Sequence, residues 1–524
     1  MGGSALILNY GNDVSAKVKN NVSLYADSLK VEAESKTMNI DVAASGGKSE
    51  TFGFNGVGAW VFVDNETTAQ IAGGASLEIG DNLVGGTTDS LVVEAEDTVD
   101  SFNILGGVAV SESIGAGASV GLNTVKRKTR AVIGELDEND STAAVRIQSA
   151  GDVDVKAKND GYIGSFSLAS AIATGGETTN HSDGSTTGSA SFGIGVSGDV
   201  AINEIDDTTE AYLNNVEWDL DQQVALAVSA INDSEILAIG GSVALILGNL
   251  NQSTASVGLA GSYGHNTIGQ TTRAYVEDTT MTSGSADWAS LDVNANNKSK
   301  IYAVNAGGSG AAASDINAAV AGAVTVNEVN NKTQAYLKDS TLDVAGATTV
   351  QALDDSTIHA DAGGASLAVG VSSDSTGSIS AGLGLAFNDI DNTTSAFLEG
   401  TTLNAGGDVS VTAKSTSDID AFALGAAAAV SATASWLGLS LAGAAAGAKN
   451  NIANTIEAYV SNGSDITTNN GAAVTVSALD ESDITADAGG YALAVALSGS
   501  AATGSFSVGV SIAENEIKNN IDAY

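Results

Sequence analysis

Apolar and polar residues alternate with a period of two along most of the chain, and the same phase of alternation returns about every 62 residues. The stretch that carries it most clearly is Asn388 to Leu398, Asn-Asp-Ile-Asp-Asn-Thr-Thr-Ser-Ala-Phe-Leu. It recurs as Asn203 to Leu213, Asn266 to Val276, Asn327 to Leu337 and Asn450 to Val460, with a basic version at Asn123 to Ile133. A further copy opens at Asn515, and two looser ones end at Ala69-Gln70-Ile71, with Val61 in the Asn place, and at Ala16-Lys17-Val18. Successive residues of a strand point to opposite faces. The copy at 327 therefore divides into Asn327, Val329, Asn331, Thr333, Ala335 and Leu337 on one face and Glu328, Asn330, Lys332, Gln334 and Tyr336 on the other. A small, apolar and amide-bearing face opposite a charged one predicts a half-buried β-strand, not a helix.

Each copy is followed by a turn and a second alternating strand that ends in Ala, as in Val153 to Ala157, Leu291 to Ala295 and Val409 to Ala413. The distance between the two alanines varies from 17 to 26 residues, so the link reads as an outward loop that tolerates insertion. Longer Gly- and Ala-rich alternating runs come next, such as Thr357 to Val371 and Ser417 to Val430. Small side chains on both faces predict sheets that approach closely. The polar segment Thr174 to Gly188 reads as a loop spliced into one repeat. The uncharged run Ala421 to Ala448 is long enough for a membrane helix, but its period of two and its equivalents in other repeats predict buried strands and no membrane insertion.

A fixed period of this length signals a solenoid or an array. The expected fold is all-β: one continuous, elongated, right-handed parallel β-solenoid over 5–524, of about eight repeats. The repeats fall near 5–60, 61–122, 123–202, 203–265, 266–326, 327–387, 388–449 and 450–514, with a partial one at 515–524. How many coils make one repeat stays open, and the alternative is a row of tandem β-sandwiches. Residues 1–4 read as an expression scar and the chain as a piece of a longer protein. Pro is absent, as a chain made of sheet ladders requires, and without Cys there is no disulfide or thiolate metal site.

The recurring asparagines (Asn123, Asn203, Asn266, Asn327, Asn388, Asn450 and Asn515) are expected to stack as a structural amide ladder along the axis. A second Asx series (Asn12, Asn65, Asp207, Asn331, Asn392, Asn454 and Asn519) is expected to form turns or another ladder. Tyr212, Tyr275, Tyr336, Phe397 and Tyr459, continued by Tyr524, form an aromatic stripe that shields the sheet or binds sugar rings. Acids such as Glu204, Asp206, Asp207, Glu210, Asp389 and Asp391 are spread over the repeats as a solvated face that holds Ca²⁺ loosely at most; no cofactor is expected. His181, His265 and His359 are scattered, and the run Lys126-Arg127-Lys128-Thr129-Arg130 is expected to pair with acidic neighbours. No convergent catalytic set is visible. A net charge of -42 argues against nucleic acid and anionic lipid as partners, and 43% hydrophobic content argues against a disordered chain.

The segment Leu403 to Ala413, Leu-Asn-Ala-Gly-Gly-Asp-Val-Ser-Val-Thr-Ala, resembles the Ala-Gly-Gly-Asp-Val-x-Val-x-Ala phrase of filamentous-haemagglutinin-like and other giant repetitive bacterial surface proteins; Ala150 to Ala157 is a shorter match. The resemblance implies a secreted, extracellular parallel β-helix acting as an adhesin or stalk, and no functional residue carries over. The expected function is therefore the non-catalytic repeat shaft of a large cell-surface adhesin, stalk or fibre component, with other regions of the parent chain as its partners. A glycan- or surface-binding module using the aromatic stripe is the second reading, directed at host or neighbouring-cell glycans. A polysaccharide-lyase-type β-helix enzyme is the third. The apolar front edge Ala5 to Leu8 and the amide-rich back edge Ile517 to Tyr524 are expected to add end to end once salt screens the charge.

Overall fold

The computed structural model describes residues 2–80, 90–136, 143–149, 151–174, 191–248, 254–281, 284–434, 436–469, 471–499 and 502–524. Every strand pair in it is parallel, and the strands form three sheets. One coil shows the plan. A long strand Ser290–Ala313 in the back sheet turns at a tip into the long strand Ile316–Lys338 of the front sheet. The chain then enters the short strand Thr341–Val344 of the end sheet and begins the next back strand at Thr348–Ser372. Each back and each front strand hydrogen-bonds its counterpart one repeat away in unbroken register, Asn266 on Asn327 and Ala295 on Ala352. One repeat is one coil of a parallel β-solenoid. The first front strand starts at Gly2, paired with Asn55, so residues 2–4 belong to the stack.

The alternation determines what faces inward. Asn327, Val329, Asn331, Thr333, Ala335 and Leu337 are all buried, while Glu328, Asn330, Lys332, Gln334 and Tyr336 face out. The coil is wedge-shaped, because the size of the inward side chains changes along it. Where front, end and back sheets meet, the core is built of Leu, Ile and Val with Trp218 against Trp288 edge-on at 4.9 Å. The middle holds a column of Ile and Val beside the recurring asparagines. Toward the tip the interior is mostly Ala, Ser and Gly, and the two long sheets close on each other.

A glycine column in the back sheet permits that closure. Gly307, Gly364, Gly425 and Gly490 lie in register. A Cβ on them would stand 2.4, 2.2, 2.1 and 2.5 Å from the carbonyl oxygens of Gly322, Leu383, Ala445 and Val510 in the front sheet. At the opposite end of each front strand, the turn into the end sheet is made by a residue with left-handed backbone. Asn215, Asp278, Asp339, Gly400 and Asn462 have φ of 57°, 49°, 46°, 59° and 54°, a conformation that Asn, Asp and Gly adopt at least cost.

Coils stack about 4.8 Å apart, so the eight steps between the nine front strands span about 38 Å, whereas a strand of this length runs about 70–80 Å. Over these coils each long strand therefore runs about twice as far as the stack is tall.

Gly363 and Gly364 are chain neighbours on opposite faces, which makes a paired test of the closure. Gly364→Ala should lower stability by about 2 kcal/mol or more, since the oxygen it meets is backbone in a sheet that cannot yield cheaply. Gly363→Ala meets nothing within 4 Å and should be neutral or slightly stabilising. Denaturant unfolding of both variants reads the difference, and equal effects would contradict the close approach.

Candidate functional site

The residues that the sequence singles out lie in columns parallel to the axis. In the first column Asn123 Nδ2 donates to Asn203 Oδ1 at 2.6 Å, Asn203 to Asn266 at 2.7 Å and Asn266 to Asn327 at 2.8 Å. Asn327 donates to Asn388 and Asn388 to Asn450, both at 2.7 Å, and Asn450 to Asn515 at 2.8 Å. Asn103 of the back sheet donates into the chain at Asn123. Each inner amide thus gives one hydrogen bond and takes one. Such bonds contribute about 1 kcal/mol each, but a buried amide deprived of its partner costs about 1–3 kcal/mol.

The second Asx series makes another ladder over its last four members. Its carboxamide oxygens replace backbone acceptors: Asn331, Asn392 and Asn454 donate their amide N–H to Oδ1 of Asn392, Asn454 and Asn519 at 2.9, 3.2 and 2.8 Å. The front strand is interrupted at Asp391–Asn392, where the ladder bond passes to these side chains. Opposite lies Asp354, wholly buried, which accepts from Asn297, Thr333, Ser356 and Asn392 at 2.7 to 3.1 Å. Burial pushes its carboxyl up from the usual range against the pull of these donors. Asp199, nearer the tip, is raised for the same reason and accepts from the hydroxyls of Ser119, Ser167 and Ser262.

Asp207 departs from the surface role expected for it. It is buried and pairs with Arg127 at 2.5 Å, both side chains being fully inaccessible. Arg127 also donates to the carbonyl oxygen of Asp160 at 2.6 Å and to Ser234 Oγ at 3.1 Å. Two other charges of that basic run reach acids, Lys126 to Asp206 and Arg130 to Glu66. Period two alone sends Arg127 inward, where its pairing with an acid takes place inside the coil.

The aromatic stripe is a stack. Tyr212, Tyr275, Tyr336, Phe397, Tyr459 and Tyr524 follow one another at centroid distances of 4.5, 4.7, 4.7, 4.9 and 5.2 Å, with planes within 6° of parallel. Burial pushes the hydroxyls of Tyr275 and Tyr336 strongly up. Tyr275, Tyr336, Phe397 and Tyr459 have both ring faces covered by neighbours, so only rims remain for a ligand. A sugar stacks on a free ring face, which these four rings do not offer.

The remaining candidates stay apart. His265 lies 3.8 Å from Glu328 on the front sheet, and His359 lies 3.2 Å from Asp420 and 3.6 Å from Asp361 on the back sheet. Asp389 accepts from Asn451 at 2.6 Å and Glu210 pairs with Arg273 at 3.4 Å. Among the described residues, no three of His, Asp and Glu stand together as metal ligands. His181 and most of the Thr174 to Gly188 segment lie outside the described residues. No protein-family model matches the chain, and neither a curated protein nor a solved structure is found similar to it.

Asn388→Asp should cost about 2–4 kcal/mol at neutral pH, because an ionised acceptor would be buried against the Oδ1 of Asn450. The loss should shrink on acidification as the new carboxyl takes a proton. Glu328→Gln on the outer face should move the melting temperature little, and equal shifts would refute the burial of the ladder.

A pH dependence follows from Asp354 and Asp199. Their folded pKa values exceed the unfolded value of about 3.9, so the folded state holds the proton over the window above it. Stability must then fall as pH rises through that window. Melting temperature should increase as pH is lowered toward the ordinary carboxyl range, and Asp354→Asn should flatten part of the slope. An unchanged slope in that variant would assign the dependence to other groups.

Proposed function

We propose that this chain is a non-catalytic structural stretch of a very large secreted bacterial cell-surface protein, a component of an adhesin shaft, stalk or fibre. The observation that carries this reading is the uninterrupted set of axial columns. Three parallel sheets, two side-chain ladders and one aromatic stack run through coil after coil, and among the described residues no cluster of metal-ligating side chains gathers beside them. Such an arrangement resists bending and shear, because each coil is tied to the next across its whole width. It is costly in residues per unit of reach, since about 62 residues add about 4.8 Å of height. Stiffness and breadth, more than length, are what this stretch gives its parent. The acidic outer faces, from a net charge of -42, keep neighbouring molecules apart at low ionic strength.

Surface display is the test. Antibody raised against this chain should label intact cells of the source organism, and protease applied outside should remove the signal. Labelling only after permeabilisation would overturn the surface assignment. Turnover of any acidic polysaccharide by the purified chain would overturn the structural one.

A further inference from the structure

The thin half of the wedge is inverted relative to the thick half. Its interior is mostly Ala, Ser and Gly, with Ile246 a buried exception, and most of its larger apolar side chains point outward on both long sheets. In one front strand the outward positions from the tip are Gly377, Ile379, Ala381, Leu383 and Leu385, with Ile379 47% and Leu383 37% exposed. From the tip turn to the third residue before each ladder asparagine, no outward position of a described front strand carries a charge. The back sheet has a similar band, interrupted by Lys48 in its first coil and hollowed into a shallow trough at Ala365, Ala426 and Ala428. Nine or ten residues of depth over this stack give each band about 30 by 38 Å, or about 1,100 Å². The largest apolar patch on an ordinary monomer is about 300–600 Å².

We propose that the front band is a docking surface for a second copy of this chain. Two copies pack front to front through their thin halves, related by a two-fold axis, with their thick halves pointing in opposite directions. Area supports this occupant, since a stable interface buries about 800 Å² per partner. Charge supports the opposed orientation. The ion pairs and surface acids of the front sheet lie beyond the asparagine ladder, in the thick half, as at Glu204, Asp206, Glu210 and Asp389. Stacking the copies in the same direction would set these acids against their own images, whereas the opposed arrangement overlaps only uncharged surface. A two-fold contact of one face with itself closes at the dimer. Lipid is the weaker occupant, because Glu204, Asp206, Glu210 and Asp389 on the same face would be repelled by anionic headgroups. This lateral contact goes beyond the structural role proposed above and differs from end-to-end addition, because it uses the middle of the stack.

Leu259 and Val320 are neighbours in register on that band, 39% and 41% exposed and far from both terminal coils. Sedimentation velocity over a concentration series at high salt should show a dimer for the unaltered chain. Leu259→Glu with Val320→Glu should weaken it by roughly 100-fold or more while the circular dichroism spectrum and melting temperature hold, because carboxylates would be buried at the contact. Val243→Glu with Leu367→Glu on the back face should leave the dimer intact. A monomer at every concentration, a dimer indifferent to the front pair, or one lost only with the back pair would overturn the proposal. So would a chain that stays monomeric in buffer yet floats with phosphatidylcholine vesicles, which would identify lipid as the occupant.

Discussion

The structure depends on one fact about the carboxamide group: it can donate to and accept from a copy of itself one strand spacing away. In the Asn column every Nδ2 meets the Oδ1 of the next coil at 2.6 to 2.8 Å, so a polar atom that would be costly to bury is satisfied at each step without water. The bond forms only when coils are in register, because a slip of one residue turns every asparagine to the outside. The amide chain therefore fixes the phase of the strand that contains it. The Ile and Val column beside it and the Ala and Leu that follow are buried as a consequence.

A coil this wide cannot be filled with one kind of core. Close to the end sheet three walls meet, and large side chains fill the space, with Trp218 and Trp288 among the largest wholly buried. Away from it only two walls remain, and the sheets approach until glycine is needed opposite a backbone carbonyl. The same taper explains the inverted half. Where the interior narrows to Ala, Ser and Gly over most coils, the larger apolar side chains of the strands are on the outside. Outward burial then needs another surface.

Much of this was legible in the sequence because solenoid neighbours are related by a fixed offset. The period gave the strand, its two faces and the column to which Asn388 belongs, and the stacked rings at 275, 336 and 397 followed from the same offset. What the period could not give was how far one repeat reaches around the axis. A strand of 20 or more residues exceeds the usual length of about 5–6, so a repeat of 62 suggested several short coils as readily as one broad one. The outward apolar band was hidden for a related reason. The Gly- and Ala-rich runs alternate weakly, and nothing local tells which of two nearly apolar faces meets the partner sheet. Asp207 belonged by spacing both to the second Asx series and to a run of surface acids, and the alternation separates the two: Asp206 is outside and Asp207 inside.

Columns of like residues solve the hydrogen-bonding problem but create another, since similar coils could pair in the wrong order. The second polar column departs from amides at one place, where Arg127 sits above Asn65 and below Asp207. A buried ion pair contributes little net stability, because desolvation cancels most of the attraction. Misplacing it is another matter. Shifting the stack by a whole repeat would set Arg127 against Gln270 and leave Asp207 buried without a cation, at a cost of about 3–5 kcal/mol for the broken pair. Amide columns make every junction between coils acceptable, and the single charged junction makes one of them unique. Placed between the third and fourth front strands, next to the 80-residue repeat that interrupts the regular spacing, it specifies order where the offset is least informative.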